Sequence, residues 1–165
     1  MVEVYVGAGS NREPRRHLQL AVAALTERYG RLRCSEVYRS PAFGFSGADF
    51  LNMVIAFAAD DTADEVKRAL ADIEYAGGRA RDAPRFSPHT LDLDLLLVGA
   101  TVDPPRRLPR EDVRRFPFVL APLADLAPAL RHPLTGRTLA EEWRAMQAAG
   151  RPTGLVRLGR LEVLD

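Results

Sequence analysis

The run Leu91-Asp92-Leu93-Asp94-Leu95-Leu96-Leu97 sets two carboxylates two positions apart in an otherwise aliphatic segment. In a strand, side chains at i and i+2 share one face at a spacing of roughly 6.5–7 Å. Asp92 and Asp94 therefore point one way while Leu91, Leu93 and Leu95 point the other. Neighbouring carboxylates repel, and a hard divalent cation with oxygen ligands relieves the repulsion; two such ions can sit between a carboxylate pair and a polyphosphate. An alternating Asp pair is also what the solvated face of an edge strand looks like, so the surrounding residues decide between the two.

The segment just before this strand supplies Arg79, Arg81 and Arg85 together with Phe86 and His89. Planar guanidinium forks match phosphate oxygens, and a metal-bound triphosphate reconciles carboxylates and cations gathered in one place. Lys67 is the only lysine, and every other of the 23 basic residues is arginine. That excludes a Walker-type Gly-Lys loop and a Schiff-base lysine in a pocket loop. Two further segments carry aromatics: Asp49-Phe50-Leu51-Asn52, and Phe116-Pro117-Phe118-Val119-Leu120 downstream of the acidic strand. An aromatic pair from these segments can clamp a flat heterocycle, although either aromatic alone is more often core than clamp, and the Asn52 amide presents a donor beside an acceptor, as the polar edge of such a ring requires. Gly7-Ala8-Gly9-Ser10-Asn11 superficially resembles a dinucleotide fingerprint, but Arg12 stands in place of the third glycine and no acidic ribose partner follows. Cys34 lies within a strand pattern and reads as a small core residue rather than a nucleophile. His17 and His132 have no evident partners in sequence.

These groups must be positioned by a chain of 165 residues with 47% hydrophobic and 27% charged composition, which suits one globular domain over residues 1–165. A formal net charge of +1 gives no global field for nucleic acid or an anionic membrane, so any anion must be recognised locally. A single cysteine excludes an internal disulfide and the histidines lack zinc-ligand spacing. No signal-like start or bilayer-length apolar run is evident, so the expectation is a soluble, cytoplasmic monomer.

Val2, Val4 and Val6 alternate with Glu3 and Tyr5 before Gly7-Ala8-Gly9, a strand running into a tight turn. Pro14 starts a helix whose apolar positions Leu18, Ala21, Val22, Leu25 and Tyr29 recur until Gly30. Residues 32–39 alternate as a second strand. After the Pro- and Gly-containing loop 40–49, Phe50 to Ala59 reads as a third. Thr62-Ala63-Asp64-Glu65 is a capping box for a helix with a Val66, Ala69, Leu70, Ile73 stripe, ended by Gly77-Gly78. Residues 77–88 read as a long mobile loop and Leu91 to Val98 as the fourth strand. The order is that of a ferredoxin-like βαββαβ sandwich, an α/β (α+β) domain with helices on one sheet face. A Pro-rich stretch 104–109, a short turn at 111–115, the apolar Phe118 to Leu130, a helix at Leu139 to Ala148 and a hairpin-like run at 155–164 decorate it.

Taken in chain order, Gly9-Ser10-Asn11, Tyr38-Arg39-Ser40-Pro41, Phe50-Leu51-Asn52, the Arg79/Arg81 loop, Pro88-x-Thr90-Leu91-Asp92-Leu93-Asp94 and Phe118-Val119-Leu120-x-Pro122-Leu123 resemble the 6-hydroxymethyl-7,8-dihydropterin pyrophosphokinase family over residues 2–135. The resemblance implies the same fold. It also implies transfer of the β,γ-pyrophosphoryl group of ATP to the hydroxymethyl group of a reduced pterin, releasing AMP, in folate biosynthesis. By the same resemblance Asp92 and Asp94 hold two Mg2+ ions, and Arg79 and Arg81 neutralise phosphate charge as the loop closes. Phe50 and Phe118 sandwich the pterin, Asn52 reads its edge, and Ser40, Pro41 and Phe43 complete that pocket. Glu74, Phe86, His89, Leu95, Arg107 and Arg110 fall at ATP-site positions.

Several residues depart from the family pattern. His89 stands where arginine is common, Phe86 where tryptophan is, Asp82 where a basic residue is frequent, and Phe116 where an arginine is. Pro109-Arg110 replaces a Pro-His pair, with a shortened approach to it. Arg110, Arg114 or Arg115 could supply the missing charge from a shifted position. The rival functions are a pterin-binding protein without turnover, a variant acting on a related reduced pterin, and a nucleic-acid platform. The last is opposed by the near-zero charge and by Tyr5 being the lone stacking aromatic of the first strand.

Overall fold

The computed structural model describes residues 1–42, 46–78, 91–151 and 154–163. The elements are β1 (Val2–Ser10), α1 (Pro14–Tyr29), β2 (Arg33–Cys34), β3 (Val37–Ser40), β4 (Phe50–Ala59), α2 (Ala63–Ala76), β5 (Asp92–Val98), α3 (Asp112–Arg115), α4 (Pro117–Leu126), α5 (Leu139–Ala148) and β6 (Val156–Gly159). The strands form one sheet in the order β5-β1-β4-β3-β6, with β2 also on β4, and each pairing is antiparallel. The β5-β1-β4-β3 portion is the expected ferredoxin-like βαββαβ arrangement.

Period-2 alternation sorts β1 between two apolar layers. Val4, Val6 and Ala8 face α1 and α2, where Leu18, Leu25, Val66 and Leu70 bury against them. Tyr5 faces the opposite layer, with Leu120, Leu123 and Ala124 of α4 and Met146 of α5. Helices thus cover both sheet faces rather than one, because α4 and α5 form a second core instead of decorating the first. The leucines of β5 serve both layers. Leu93, Leu95 and Val98 go to one and Leu96 and Leu97 to the other. The register shifts where Tyr5 pairs Leu97 and Val6 pairs Leu95; this bulge is why an unbroken aliphatic run stands where simple alternation would be expected.

Four other expectations are corrected. The predicted second strand is split into β2 and β3, since the Ser35 Oγ accepts from the Val54 N–H at 2.8 Å in place of a backbone partner. Gly7-Ala8-Gly9 is no turn: β1 continues to Ser10 and pairs Gly7 with Val54 and Gly9 with Asn52. Cys34 is exposed on the short β2 rather than in the core. The terminal hairpin is a single strand, β6, which takes the free edge of β3 and is followed by a 3-10 turn at Leu161–Val163. The helix starts agree with the sequence signals. Thr62 accepts from the Glu65 N–H at α2, and the full reciprocal box forms at Thr138 and Glu141 of α5. Among the described residues no helix is long and apolar enough to cross a membrane.

Candidate active site

A cleft opens on the α4 side of the sheet. It is lined by Gly7 and Gly9 of β1, Ser40 and Pro41 at the end of β3, Phe50 and Asn52 of β4, Asp92 and Asp94 of β5, Asp112 of α3 and Phe118 of α4. Register fixes the arrangement. Gly9 pairs Asn52 on one side and Asp92 on the other, and Gly7 sits between Val54 and Asp94. The central strand therefore runs bare between a side-chain amide and two carboxylates. With strands about 4.8 Å apart, the amide and the nearer carboxylate are anchored about 10 Å from each other. The lack of a Cβ matters most at Gly9, where an added Cβ would lie 3.2 Å from Asn52 Oδ1.

Asn52 is buried and oriented. Its Nδ2 donates to Ser40 Oγ at 2.8 Å and to the Tyr38 carbonyl at 3.4 Å. A carbonyl can only accept, so this fixes which amide atom is which and leaves Oδ1 as the acceptor on the Gly9 side. Phe118, half-buried in the first turn of α4, is stacked on the buried Phe116 with centroids 5.0 Å apart and planes 21° apart. Phe50 is half-buried on the same cleft. The far end of α4 is tied to the sheet, where the Tyr38 hydroxyl donates to Asp125. Arg157 of β6 adds a bond to Asp125 at 2.7 Å and lies over the Tyr38 ring. Burial and the Asp125 carboxylate push the Tyr38 phenol well above its ordinary range.

At the other end, Asp92 and Asp94 are half-buried on one face, as the spacing predicts. Arg110 is 7% exposed and Asp112 4%. The Arg110 Nε lies 3.1 Å from Asp112, and its Nη2 lies 3.4 Å from Asp94. Arg107 reaches the other oxygen of Asp112 at 3.6 Å from a far more exposed position. Among the described residues no cluster of three or more His, Cys, Asp or Glu could cage a metal. A pair of carboxylates is nonetheless the donor set Mg2+ takes when substrate phosphates and water fill its remaining positions. The residues present fit such an ion.

Of the expected site residues, Ser40, Pro41, Phe50, Asn52, Asp92, Asp94 and Phe118 come together in this cleft. Phe43, Arg79, Arg81, Phe86 and His89 lie outside the described residues. The Leu95 side chain is buried in the α1/α2 core, on the face away from the cleft. Glu74 of α2 accepts from the Leu93 N–H at 2.6 Å, at the edge of β5. Of the three arginines that could replace a missing charge, Arg110 reaches the carboxylates. Arg114 instead pairs with Glu142 at 3.6 Å, and Arg115 lies over the Phe116 ring. Sequence reasoning missed Asp112, Gly7 and Gly9 as lining residues. The glycines had a usable signal in their period-2 placement on a strand, whereas Asp112 is picked out only by its packing against Arg110.

A family model described as 7,8-dihydro-6-hydroxymethylpterin-pyrophosphokinase (HPPK) matches residues 5–128. Among curated proteins, a 2-amino-4-hydroxy-6-hydroxymethyldihydropteridine pyrophosphokinase of Pseudomonas aeruginosa is 43% identical over 145 residues, 84% of this chain and 88% of that one. The protein of the same name from Methylorubrum extorquens is 33% identical over 156 residues, 91% and 97% of the two chains. Among solved structures, Plasmodium falciparum HPPK-DHPS with pterin and p-hydroxybenzoate superposes with a TM-score of 0.72 at 11% identity, covering 94% of this chain and 46% of that one. That likeness speaks for the fold, and this chain spans about half the length of that longer protein. A model match over most of the chain, with close relatives aligned nearly end to end, shows that the chain belongs to the 7,8-dihydro-6-hydroxymethylpterin-pyrophosphokinase family.

Proposed function

We propose that the cleft lays a reduced 6-hydroxymethylpterin across the bare glycines of β1, with its ring edge at Asn52 and its hydroxymethyl group toward Asp92 and Asp94. The activity is that of the family: ATP-dependent transfer of a pyrophosphoryl group to hydroxymethyldihydropterin, in folate synthesis. The observation that carries the residue-level reading is the register of Gly9, flanked by Asn52 and Asp92. A flat ring has room to pass over that strand, with an edge acceptor at one end and the carboxylate pair at the other.

Each side chain then has a task. Asn52 Oδ1 accepts from ring N–H groups, held by Ser40 so that little ordering remains on binding. Phe118, backed by Phe116, closes one side of the ring, and Phe50 lies on the same cleft. The hydroxymethyl oxygen attacks the β-phosphorus of ATP, the bond from that phosphorus to the α-phosphate oxygen breaks, AMP leaves, and the hydroxyl proton is lost to solvent. Asp92 and Asp94 hold two Mg2+ ions, which supply neutralisation of the polyphosphate charge. Arg79 and Arg81, preceding β5 in sequence, add to it. Such a transfer requires alignment and charge compensation more than covalent help. Both substrates are served by residues of one chain, residues 1–165, so a monomeric enzyme suffices, and its use of ATP suits the cytoplasm.

The test is a 31P NMR assay with Mg2+, ATP and 6-hydroxymethyl-7,8-dihydropterin, with reduced pterins bearing longer polyol tails offered in parallel. AMP and pterin diphosphate in equal amounts are expected. Asp92→Asn and Asp94→Asn are each expected to lower the rate by roughly 10^3-fold or more with the circular dichroism spectrum unchanged. Pterin binding without AMP release from the unaltered protein would mark a binding module instead.

A further inference from the structure

Arg110 is a charged group buried to more than nine-tenths, inside the acidic end of the cleft. A guanidinium in that position is tolerable only with compensating negative charge, and here two carboxylates supply it, Asp112 on one edge and Asp94 on the other. The contacts are ionic rather than directional. Nε and Nη2 are both shut off from solvent, and among the described residues neither makes a hydrogen bond of good geometry. Arg110 is therefore held near Asp94 by charge, with N–H capacity unspent, while its anchor to Asp112 is the shorter of the two. Asp94 is also half-exposed to the cleft, with 27% of its side chain accessible, so a cation arriving from solvent meets the same carboxylate that the guanidinium faces.

We infer that Arg110 is a resident counter-charge to Asp94 that a divalent ion must overcome, so that it sets how weakly the nucleotide-free site takes up metal. The inference rests on the reading of Asp92 and Asp94 as the metal ligands. Its physical basis is Coulombic. A fixed positive charge 3.4 Å from a ligand oxygen opposes the entry of a second, larger positive charge in a site partly shielded from water. Asp112 keeps the guanidinium in place when the ion enters, because it offers Arg110 a second partner that is more deeply buried than Asp94 and closer, at 3.1 Å. The consequence is an enzyme whose site stays poorly loaded until phosphate oxygens add their own negative charge.

The experiment is a Mn2+ titration followed by loss of the free-ion EPR signal, with and without a non-hydrolysable ATP analogue. Unaltered protein, Arg110→Met, Arg110→Gln and Arg110→Lys are compared, each first checked for a native near-UV circular dichroism spectrum. Without nucleotide, Arg110→Met is expected to bind Mn2+ on the order of tenfold tighter, with Arg110→Gln following it should the methionine variant misfold. Arg110→Lys keeps the charge and is expected within about threefold of the unaltered protein. Equal or weaker binding by the neutral variants overturns the inference, since a merely structural arginine would loosen the site when removed. Equal tightening by the lysine variant overturns it too, because charge would then not be the cause. Unaltered and neutral-variant proteins that take up Mn2+ neither alone nor with the analogue would instead sink the metal reading of Asp92 and Asp94.

Discussion

Gly9 and Asn52 are directly paired across β1 and β4, and the missing side chain of one makes room for the amide of the other. A Cβ at position 9 would stand 3.2 Å from Asn52 Oδ1. Asn52 has nowhere to retreat, since its Nδ2 is committed to Ser40 Oγ and to the Tyr38 carbonyl. Gly9→Ala is therefore expected to tilt the amide and lose one hydrogen bond to the pterin edge, raising KM for the pterin about tenfold. KM for ATP should stay within about twofold. Steady-state kinetics with each substrate varied in turn checks this, and equal changes in both constants would place the damage elsewhere.

The Phe116–Phe118 stack makes a second prediction. Phe116 is 4% exposed and stacked on Phe118, so it acts by holding the clamp. Phe116→Leu keeps an apolar side chain and removes the stacked partner. Aromatic pairs contribute about 0.5–1.5 kcal/mol beyond their burial, so KM for the pterin should rise about two- to tenfold with kcat little changed. A substitution that lowers kcat alone would give Phe116 some other role.

Much of this site was legible before any coordinates. The Asp92/Asp94 spacing, the Phe50/Asn52 segment and Phe118 each announce a residue type in a local pattern, and local pattern is what strand and helix periodicity preserves. What escaped was non-local. Asp112 is linked to Asp94 through Arg110 by the fold of the 99–112 segment, which no spacing encodes. The split at Ser35 arose because a serine hydroxyl can stand in for a backbone acceptor, a substitution that alternation of apolar residues does not register. The β3–β6 pairing likewise joins elements more than a hundred positions apart, and Arg157 of β6 pairs with Glu36 just ahead of β3 and with Asp125 of α4.

That last contact leads to a prediction about stability. Tyr38 donates its hydroxyl to Asp125, which also holds Arg157 at 2.7 Å. The three residues fasten α4 to β3 and β6, at the end of the helix opposite the clamp. Tyr38→Phe keeps the ring under the Arg157 guanidinium and deletes one charge-assisted bond. The expected loss is about 1.5 kcal/mol in urea unfolding with an unchanged m-value. A loss under about 0.3 kcal/mol would mean that Arg157 alone holds Asp125.

His132 predicts how stability varies with pH. It is 2% exposed, and its Nδ1 accepts from the Leu134 N–H at 3.2 Å, which requires an unprotonated ring nitrogen. Burial is the main cause that lowers its pKa below the ordinary 6.5, nearby Arg114 adds to the lowering, and Glu142 opposes it. The unfolded chain therefore takes up a proton near pH 6.5 while the folded chain resists, so the unfolded state gains protons as pH falls and stability drops through that window. His132→Asn offers a side-chain oxygen to the same N–H without titrating. Between about pH 7.5 and about pH 5.5 its melting temperature should fall less than that of the unaltered protein. Parallel melting curves for the two proteins across that range would show that the acid sensitivity resides in the carboxylates instead.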